Sequence, residues 1–410
     1  MSSYKPIILV YNPLAGHGHL DSWSAMVTNL LLQEGYKVFV LTPNKIDLLS
    51  RLSAMNMTNA SNLQILEWAL PVQNIFKRIY RKISGKIIPL KVKQNVEPSA
   101  VDPELNYLEP MEFAERIHFA LSKEVSSPHL IINMYMDLYR TDYSRWNHFE
   151  SRMRIPWVGL RFIPAKDPIE GYYFIPSCRG MAFLDEDVCQ RYQKSIFDKN
   201  FAYFPDITDA SLPTKKSELS VEILKRARGR KVVFLGGTIG RSKNLEKWYE
   251  LISIANPERW FFLQIGEIRF ENLTTGDIAA QNKCLRMMPE NLLIKNEYLP
   301  DEKIFNDVIF NSDVLFAVYR DFKISSNMLG KAAAFERPIL VAQGNLMGQR
   351  VNEYQIGIAV PEDNVLMMLQ ALEHLVQNPI PNQHFVAYRE EFSEKVFSKS
   401  MIEFIGKCIQ

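Results

Sequence analysis

The chain of 410 residues contains few cysteines, and none of them is arranged for a metal site or a disulfide scaffold. Cys178, Cys189, Cys284 and Cys408 lie far apart, and no two of them form a Cys-x-x-Cys pair. Zinc knuckles and small disulfide-stapled domains both require cysteines at close, regular spacing. The cysteine pattern therefore excludes both classes and favours a reducing, cytoplasmic compartment.

The sequence also lacks a long apolar run and an excess of charge. No apolar run approaches the roughly 20 residues that a membrane span requires, and the first apolar run is too short for a signal peptide. Lysine and arginine number 48 against 46 aspartates and glutamates. This balance excludes a protein that covers nucleic acid with positive charge. The apolar content of 47% is that of a globular protein, and the length predicts two domains.

The first 41 residues have the pattern of a strand, a loop, a helix and a second strand. Residues 7–11 are apolar without interruption, as is typical of a buried parallel strand. A helical pattern follows the loop, with Asp21 predicted as its N-cap and Gly35 as its stop. Residues 37–41 form the second apolar run, so the segment predicts a βαβ unit of a parallel sheet. Later strands of this sheet are predicted at residues 130–132 and 157–160.

The second half of the chain begins in the same way. A strand is predicted at residues 231–235, which are apolar after Lys231; a glycine-containing loop follows at 236–243, and a helical pattern continues from there. Because each half opens with a strand, a glycine loop and a helix, we predict an α/β protein of two doubly wound, Rossmann-like domains that face each other across a cleft. The boundary is placed near residue 215, between domains of residues 1–215 and 216–390. Further strands are predicted at residues 260–265, 292–294, 314–318 and 338–342.

A glycine loop lets backbone amides approach an anion at the start of the following helix. The first loop contains Gly16 and Gly18, which are candidates for binding the donor. It lacks the third glycine of the dinucleotide fingerprint, and no acidic residue closes the second strand. A nicotinamide cofactor is therefore disfavoured, and a tight turn that needs small residues is the alternative to a ligand site. His17 and His19 favour catalysis at this loop, although a loop histidine is more often a solvated side chain than a base.

The second glycine loop is basic. It contains Gly237, Arg241 and Lys243 directly before a helical stretch. Cations at this place oppose the usual preference for acids at a helix N-terminus. A bound phosphate would explain them, and a plain surface turn is the alternative.

The most specific stretch spans residues 311–342. A buried strand ends at Tyr319, and Ser325, Ser326 or Asn327 then caps a helix of small residues. This block resembles the donor-binding region of GT-B glycosyltransferases, in which a strand leads into a serine-rich helix start and a proline opens the next strand. The resemblance implies that these residues bind the diphosphate of a nucleotide-sugar donor.

The resemblance extends over most of the chain. The first glycine loop and its helix are similar to the acceptor domain of that fold, and residues 203–209 are similar to its interdomain stretch. The second glycine loop is similar to the donor-phosphate loop, in which an arginine and a lysine, here Arg241 and Lys243, contact the diphosphate. Tyr298 lies in a segment that resembles the lining of the base pocket. The resemblance further implies that a C-terminal helix at residues 391–410 crosses back to the first domain.

Two lysines depart from the family pattern. Many retaining members carry two glutamates eight positions apart, and Lys323 and Lys331 occupy those positions here. A lysine can donate to a hydroxyl or a phosphate but cannot accept, so Lys331 is a donor-binding candidate of altered chemistry. His19 matches the general base of the inverting natural-product members, and Asp137 is its candidate acidic partner. Inverting and retaining chemistry both stay open.

Residues 76–93 form a basic, partly apolar segment without an acidic residue. The pattern is that of an amphipathic helix at a membrane surface, and in an acceptor domain it would dock on anionic lipid. We therefore predict a cytoplasmic protein that associates with the cytoplasmic face of a membrane. A solvated helix face is the alternative.

The resemblance implies a hexosyltransferase-type glycosyltransferase that moves a sugar from a nucleotide-sugar donor to a hydroxyl of a sugar, a lipid-linked or a small-molecule acceptor. It favours UDP as the nucleotide, although the residues leave the base open. No cofactor is expected, and no clustered His and Asp ligands indicate a metal. Nucleic acid is not expected as a partner. A nucleotide-sugar epimerase of the same fold and a non-catalytic sugar-binding protein are the alternatives.

Overall fold

The computed structural model describes residues 5–14, 19–55, 57–68, 108–165, 167–287, 289–299 and 301–409, and at residues 19 and 20 the backbone alone. The contacts of the chain divide it into two compact units. The first comprises Met1–Phe204 and Ser398–Gln410, and the second comprises Pro205–Phe397. The division after Phe204 lies about ten residues before the predicted boundary near residue 215.

The first unit is an α/β layer structure around a parallel sheet. Its strands are β1 (Ile7–Tyr11), β2 (Lys37–Leu41), β3 (Leu63–Ile65), β4 (Leu130–Asn133), β5 (Trp157–Arg161), β6 (Cys178–Phe183) and β7 (Asn200–Tyr203). Its helices within the described residues are α1 (His19–Gln33), α2 (Lys45–Ala54), α3 (Pro110–Leu121), α4 (Tyr143–Glu150) and α5 (Glu186–Ser195). The strand order is β3–β2–β1–β4–β5–β6–β7, with every neighbouring pair parallel. The predicted βαβ unit and parallel sheet are confirmed.

The start of α1 differs from the sequence prediction. The helix begins at His19, so Asp21 lies within its first turn and is not the N-cap. The Asp21 carboxylate instead accepts a hydrogen bond of 3.0 Å from the buried Asn12 side chain, and an acid in the first turn remains favourable to the helix dipole. Gly35 follows the last turn with a φ of +79°, a conformation that glycine adopts without strain.

The core of the first unit is rich in aromatic side chains. Trp146 and Trp157 are fully buried and stack with ring centroids 5.4 Å apart, and Phe113 and Tyr172 make edge-to-face contacts in the same cluster. Aromatic pairs of this kind add to the stability gained from burial alone. Phe404 of the C-terminal segment packs edge-on against Phe204 at 5.8 Å, which ties the last residues of the chain to this unit.

The second unit repeats the architecture with six parallel strands. They are β8 (Lys231–Gly236), β9 (Trp260–Ile265), β10 (Leu292–Lys295), β11 (Val314–Ala317), β12 (Ile339–Ala342) and β13 (Gly357–Val360). Their order is β10–β9–β8–β11–β12–β13. The helices are α6 (Glu218–Ala227), α7 (Leu245–Ile254), α8 (Thr275–Met287), α9 (Glu302–Phe310), α10 (Asn327–Phe335), α11 (Leu346–Tyr354), α12 (Val365–Gln377), α13 (Asn382–Glu391) and α14 (Glu394–Ile409), the last of which ends in the first unit.

The strand order reverses once in each sheet. In the first unit the reversal lies between β1 and β4, and in the second it lies between β8 and β11. In open parallel sheets, ligands bind outside the carboxyl ends of the strands at such a reversal. The fold therefore predicts ligand sites at the loops that follow β1, β4, β8 and β11.

Candidate functional site

The backbone of the loop after β8 lies very close to the end of the neighbouring strand β9. Gly237 follows the strand with a φ of +90°, and Gly266, at the end of β9, has a φ of +150°. A Cβ on Gly266 would lie 1.8 Å from the Gly237 carbonyl oxygen, so only glycine fits there. A 3₁₀ turn at Arg241–Lys243 follows, and Asn244 (φ +56°) begins α7. The loop is thus held against the neighbouring strand end.

Lys243 is directed from this loop towards the end of β11. Its ammonium donates to the Gly236 carbonyl oxygen at 2.9 Å and to the Tyr319 hydroxyl at 2.6 Å. Its Nζ also lies 4.0 Å from the centroid of the Tyr319 ring. The structure therefore brings together three residues predicted for the donor site, Gly237, Lys243 and Tyr319. Arg241, which was also predicted for the donor site, is exposed on the same loop as Lys243.

Arg320 fixes the basic loop and was not predicted from the sequence. Its backbone N–H donates to the Ser242 carbonyl oxygen at 2.8 Å, and its guanidinium donates to the Asn244 side chain at 3.1 Å. Both terminal nitrogens of Arg320 also lie 3.1 Å from the carboxylate of Asp277, which is fully buried. Asp277 lies 43 residues earlier on α8, and no motif links it to Arg320 in the sequence.

The carboxylate of Asp277 is kept ionised by its partners. Burial alone would raise the pKa of this carboxyl, because the charged form loses solvation. Hydrogen bonds from Arg320 and from the hydroxyl and backbone of Thr274 outweigh that effect and lower the pKa. The loop that carries Arg241 and Lys243 is therefore anchored by a buried ion pair.

The helix start at Ser325–Asn327 is held by the chain between the two sheets. Ser326 is the N-cap of α10, and its hydroxyl accepts from the Met328 amide at 3.4 Å. The Ser325 hydroxyl donates to Asp206 and accepts from Arg350, both at 2.7 Å. The Asn327 side chain accepts from the Thr208 hydroxyl at 2.5 Å. The predicted interdomain stretch thus packs against α10 through its residues after Phe204.

Lys331 lies in the interior of the second unit. Its side chain is 1% exposed, and burial lowers the pKa of its ammonium, which Glu302 opposes. The ammonium donates to the Asp209 carbonyl oxygen at 2.7 Å, to the Asn306 side chain at 2.5 Å and to Glu302. A lysine has three N–H donors. All of those of Lys331 are therefore directed at protein acceptors.

Tyr298 lies at the carboxyl side of β10 and is 47% exposed. Strand β10 is at the edge of the sheet and is separated from β8 by β9. Tyr298 and the basic loop thus both lie at the carboxyl ends of the strands, and two strand positions separate them.

In the first unit, the candidate catalytic residues follow neighbouring strands. His19 is the first residue of α1, after the loop that leaves β1. Gly16 and Gly18, predicted for the donor site, lie outside the described residues, as does the basic segment 76–93. The sequence prediction for these residues stays a prediction.

Asp137, after β4, is occupied by protein partners. Its carboxylate accepts from the Phe162 amide at 2.9 Å and from the Ile163 amide at 2.8 Å. It also accepts from Arg161 at 3.3 Å, and that guanidinium is shared with Glu170. The side chains of Asp137 and Arg161 are 5% and 8% exposed. This arrangement fastens the loops after β4 and β5 to each other.

Among the residues that the structure describes, no group of three His, Cys, Asp or Glu side chains lies close enough to hold a metal ion. Over the same part of the chain, no helix is both long and apolar enough to cross a membrane.

Comparison with known proteins gives matches in structure alone. No protein-family model matches the chain, and no curated protein matches it in sequence. A UDP-forming α,α-trehalose-phosphate synthase from Burkholderia xenovorans superposes with a TM-score of 0.61 at 12% identity, over 99% of this chain and 100% of that one. HepE from Anabaena, in complex with UDP and glucose, superposes with a TM-score of 0.60 at 9% identity, over 97% and 99%.

A third similar structure is a glycosyltransferase from Rickettsia africae, with a TM-score of 0.61 at 10% identity over 99% of both chains. These similarities extend over nearly the whole chain, so both sheets and the elements around them are shared. The chain therefore has the GT-B fold, two doubly wound α/β units built on parallel sheets, as do the glycosyltransferases that it resembles in structure.

Proposed function

We propose that the protein is a metal-independent glycosyltransferase of the hexosyltransferase type that uses a UDP-sugar donor. The observation that carries the proposal is the hydrogen bond from Lys243 to Tyr319 at the strand reversal of the second unit. Arg241 is exposed on the same loop. Solved structures with the same fold include a UDP-forming synthase and a complex with UDP and glucose. They support UDP as the nucleotide.

The basic loop is suited to a leaving diphosphate. Lys243 uses two of its three N–H donors on protein acceptors, so one remains for a phosphate oxygen. Arg241 offers a guanidinium, which binds phosphate in a bidentate manner. When the glycosidic bond to the nucleotide breaks, negative charge develops on the diphosphate, and fixed cations at that point stabilise the transition state. We assign Lys331 a structural role instead, since all its donors are taken.

His19 remains our candidate for the general base. It lies at the strand reversal of the first unit, where α1 begins. A neutral imidazole would take the proton of the acceptor hydroxyl as that oxygen attacks the anomeric carbon. We propose that Asp137 is not its partner, because backbone amides and Arg161 already occupy that carboxylate. The acceptor is a sugar, a lipid-linked or a small molecule.

Thermal unfolding with nucleoside diphosphates tests the donor site. Because a ligand that binds only the folded protein raises its unfolding midpoint, UDP is expected to raise it and other diphosphates less. Lys243→Ala and Arg241→Ala are each expected to reduce the UDP-dependent shift. Lys303→Ala, which removes an exposed lysine of α9, is the matched control and should keep the full shift.

The outcomes separate the alternatives. A wild-type protein whose midpoint is unchanged by every diphosphate contradicts the proposal. A UDP-dependent shift without sugar transfer to any acceptor identifies a non-catalytic binding protein. Conversion of a UDP-sugar in the absence of an acceptor identifies an epimerase. In a transferase, His19→Ala should lower turnover much more than it lowers UDP affinity.

A further inference from the structure

A second basic region lies at the opposite edge of the second sheet from the basic loop. The second half of α6, the turn that leads from it to β8, and residues near the starts of β9 and β10 surround an open depression of about 630 Å³. Strand β8 begins there, at Lys231, and ends at the donor loop, after Gly236. Strand residues advance by about 3.3 Å each, so the two regions are roughly 17 Å apart along β8. The depression is therefore distinct from the candidate donor site.

Arg230 forms a fixed positive wall of this depression. Its guanidinium donates to the carbonyl oxygens of Ala227, Pro257 and Arg226 at 2.9, 3.2 and 2.7 Å. It also lies 5.1 Å from the centroid of the Phe261 ring, which lines the same depression. Carbonyl oxygens hold the guanidinium in place but do not neutralise its charge. Arg230 is thus an oriented cation beside an aromatic surface.

Three further cations line the depression. Lys225 and Arg228 are exposed, and no carboxylate of the described residues pairs with either of them. Arg226 pairs with Glu222 at 3.0 Å, and Lys295 pairs with the same carboxylate at 2.9 Å. The hydrogen bond from Lys295 lowers the pKa of Glu222, so two cations already share its negative charge.

The lining as a whole carries four cations against the two carboxylates of Glu222 and Glu290. This excess equals the formal charge of +2 on the entire chain. An excess of positive charge in one concave region attracts anions to it. Leu292, which is partly exposed, adds an apolar contact to the lining, whereas Phe261 is 1% exposed and supports the Arg230 guanidinium.

We propose that this depression binds the phosphate group of an organic phosphate monoester. A phosphate monoester carries about −1.5 to −2 charges at neutral pH, which matches the excess of the lining. Arginine and lysine side chains make their strongest hydrogen bonds to such oxyanions. The depression, at about 630 Å³, has room beside a phosphate group for an organic body, which Leu292 would contact. The site is independent of the function proposed for the donor loop.

The test uses phenyl phosphate as the soluble probe and vesicles of phosphatidylcholine with phosphatidic acid as the lipid probe. Binding is measured by calorimetric titration and by vesicle sedimentation. In Lys225→Gln/Arg228→Gln, two charge-assisted hydrogen bonds are lost, so affinity should fall by at least about tenfold. Lys395→Gln/Lys399→Gln removes two exposed lysines of α14 and should bind as the wild type does. Thermal unfolding confirms that both pairs of variants are folded.

Arg241→Gln distinguishes this site from the donor loop. Phenyl phosphate binding that is lost in the Lys225/Arg228 pair and kept in Arg241→Gln supports the proposal with a soluble ligand. Binding only to vesicles with phosphatidic acid, again lost in the pair, supports it with a lipid headgroup. Binding to neither probe overturns the proposal, and so does binding that is equal in the wild type and the Lys225/Arg228 pair.

Discussion

At the scale of single residues, two lysines of the second unit show what sequence patterns predict and what they do not. Lys243 and Lys331 were both predicted to bind the donor, and their residue type and spacing do not distinguish them. The structure does, because Lys331 has all three donors on protein acceptors and Lys243 has two. The partners of Lys331 come from α9 and the segment after Phe204, which no local pattern could have identified.

The buried ion pair of Asp277 with Arg320 gives a prediction of pH-dependent stability. Asp277→Asn removes the buried carboxylate and leaves the Arg320 guanidinium with Glu246, at 3.4 Å, as its charged partner, so the free energy of unfolding at pH 7 should fall by about 2 kcal/mol. The pKa of Asp277 is lowered in the folded protein, so its contribution is fully present above the ordinary carboxyl pKa of 3.8. The contribution is lost as the pH falls below 3.8 through the lowered pKa.

Denaturant unfolding at pH 7, 5, 4 and 3 measures this effect, as the difference between the wild type and Asp277→Asn. The difference should stay constant down to about pH 4 and shrink below it. Glu258→Gln, at an exposed carboxylate, is the control and should show a difference near zero throughout. A difference for Asp277→Asn that does not depend on pH would contradict the lowered pKa of the Asp277 carboxyl.

At the scale of elements, strands were predicted better than helix boundaries. Buried parallel strands such as β1 and β11 are continuous apolar runs, and such runs are visible without a partner strand. The start of α1 was placed three residues late, because Asp21 looked like a cap but accepts a hydrogen bond from Asn12 on the preceding loop. Tertiary partners of this kind are not encoded in the spacing of the helix itself.

The close approach of the β8 and β9 ends gives a second prediction. In Gly266→Ala the new Cβ would meet the Gly237 carbonyl oxygen, and φ would remain at +150°. We expect a loss of about 2 kcal/mol in the free energy of unfolding, from steric overlap and backbone strain. UDP affinity should fall too, since the donor loop begins at Gly237. Denaturant unfolding and the UDP-dependent shift measure the two effects.

Gly406→Ala is the matched control for that change. Gly406 lies inside α14, and a Cβ there would meet no atom within 4 Å. Alanine in a helix interior is more stable than glycine by about 0.5–1 kcal/mol, so this variant should be slightly stabilised. Equal stability of Gly266→Ala and the wild type would mean that the two loops can separate at no cost.

At the scale of the whole molecule, the doubly wound architecture followed from the repeated strand–loop–helix pattern, whereas the residues that separate the two units depend on distant contacts. The second unit begins at Pro205, and the segment around Thr208 belongs to it through contacts with α10. A loop-like composition marked this region in the sequence, and the partners that assign it to one unit lie more than a hundred residues away.

Each unit has its own buried core, and this predicts how a nucleotide acts on unfolding. A protein with two such units need not unfold in one step. If UDP binds the basic loop, at 100 times its dissociation constant it should add about 2.7 kcal/mol to the stability of the second unit. In differential scanning calorimetry the part of the heat that belongs to the second unit should move to higher temperature, while the remainder stays in place. A shift confined to the other part would place the nucleotide in the first unit.

The assignment of Ser398–Gln410 to the first unit also bears on the order in which the chain folds during synthesis. Domains generally fold as they leave the ribosome, the N-terminal one first. Here Met401, Phe404 and Ile405 cover apolar side chains of β5 and β6. Those side chains stay uncovered until the last residues emerge, after the whole second unit has been made. The first unit is therefore completed only after the second unit has been synthesised.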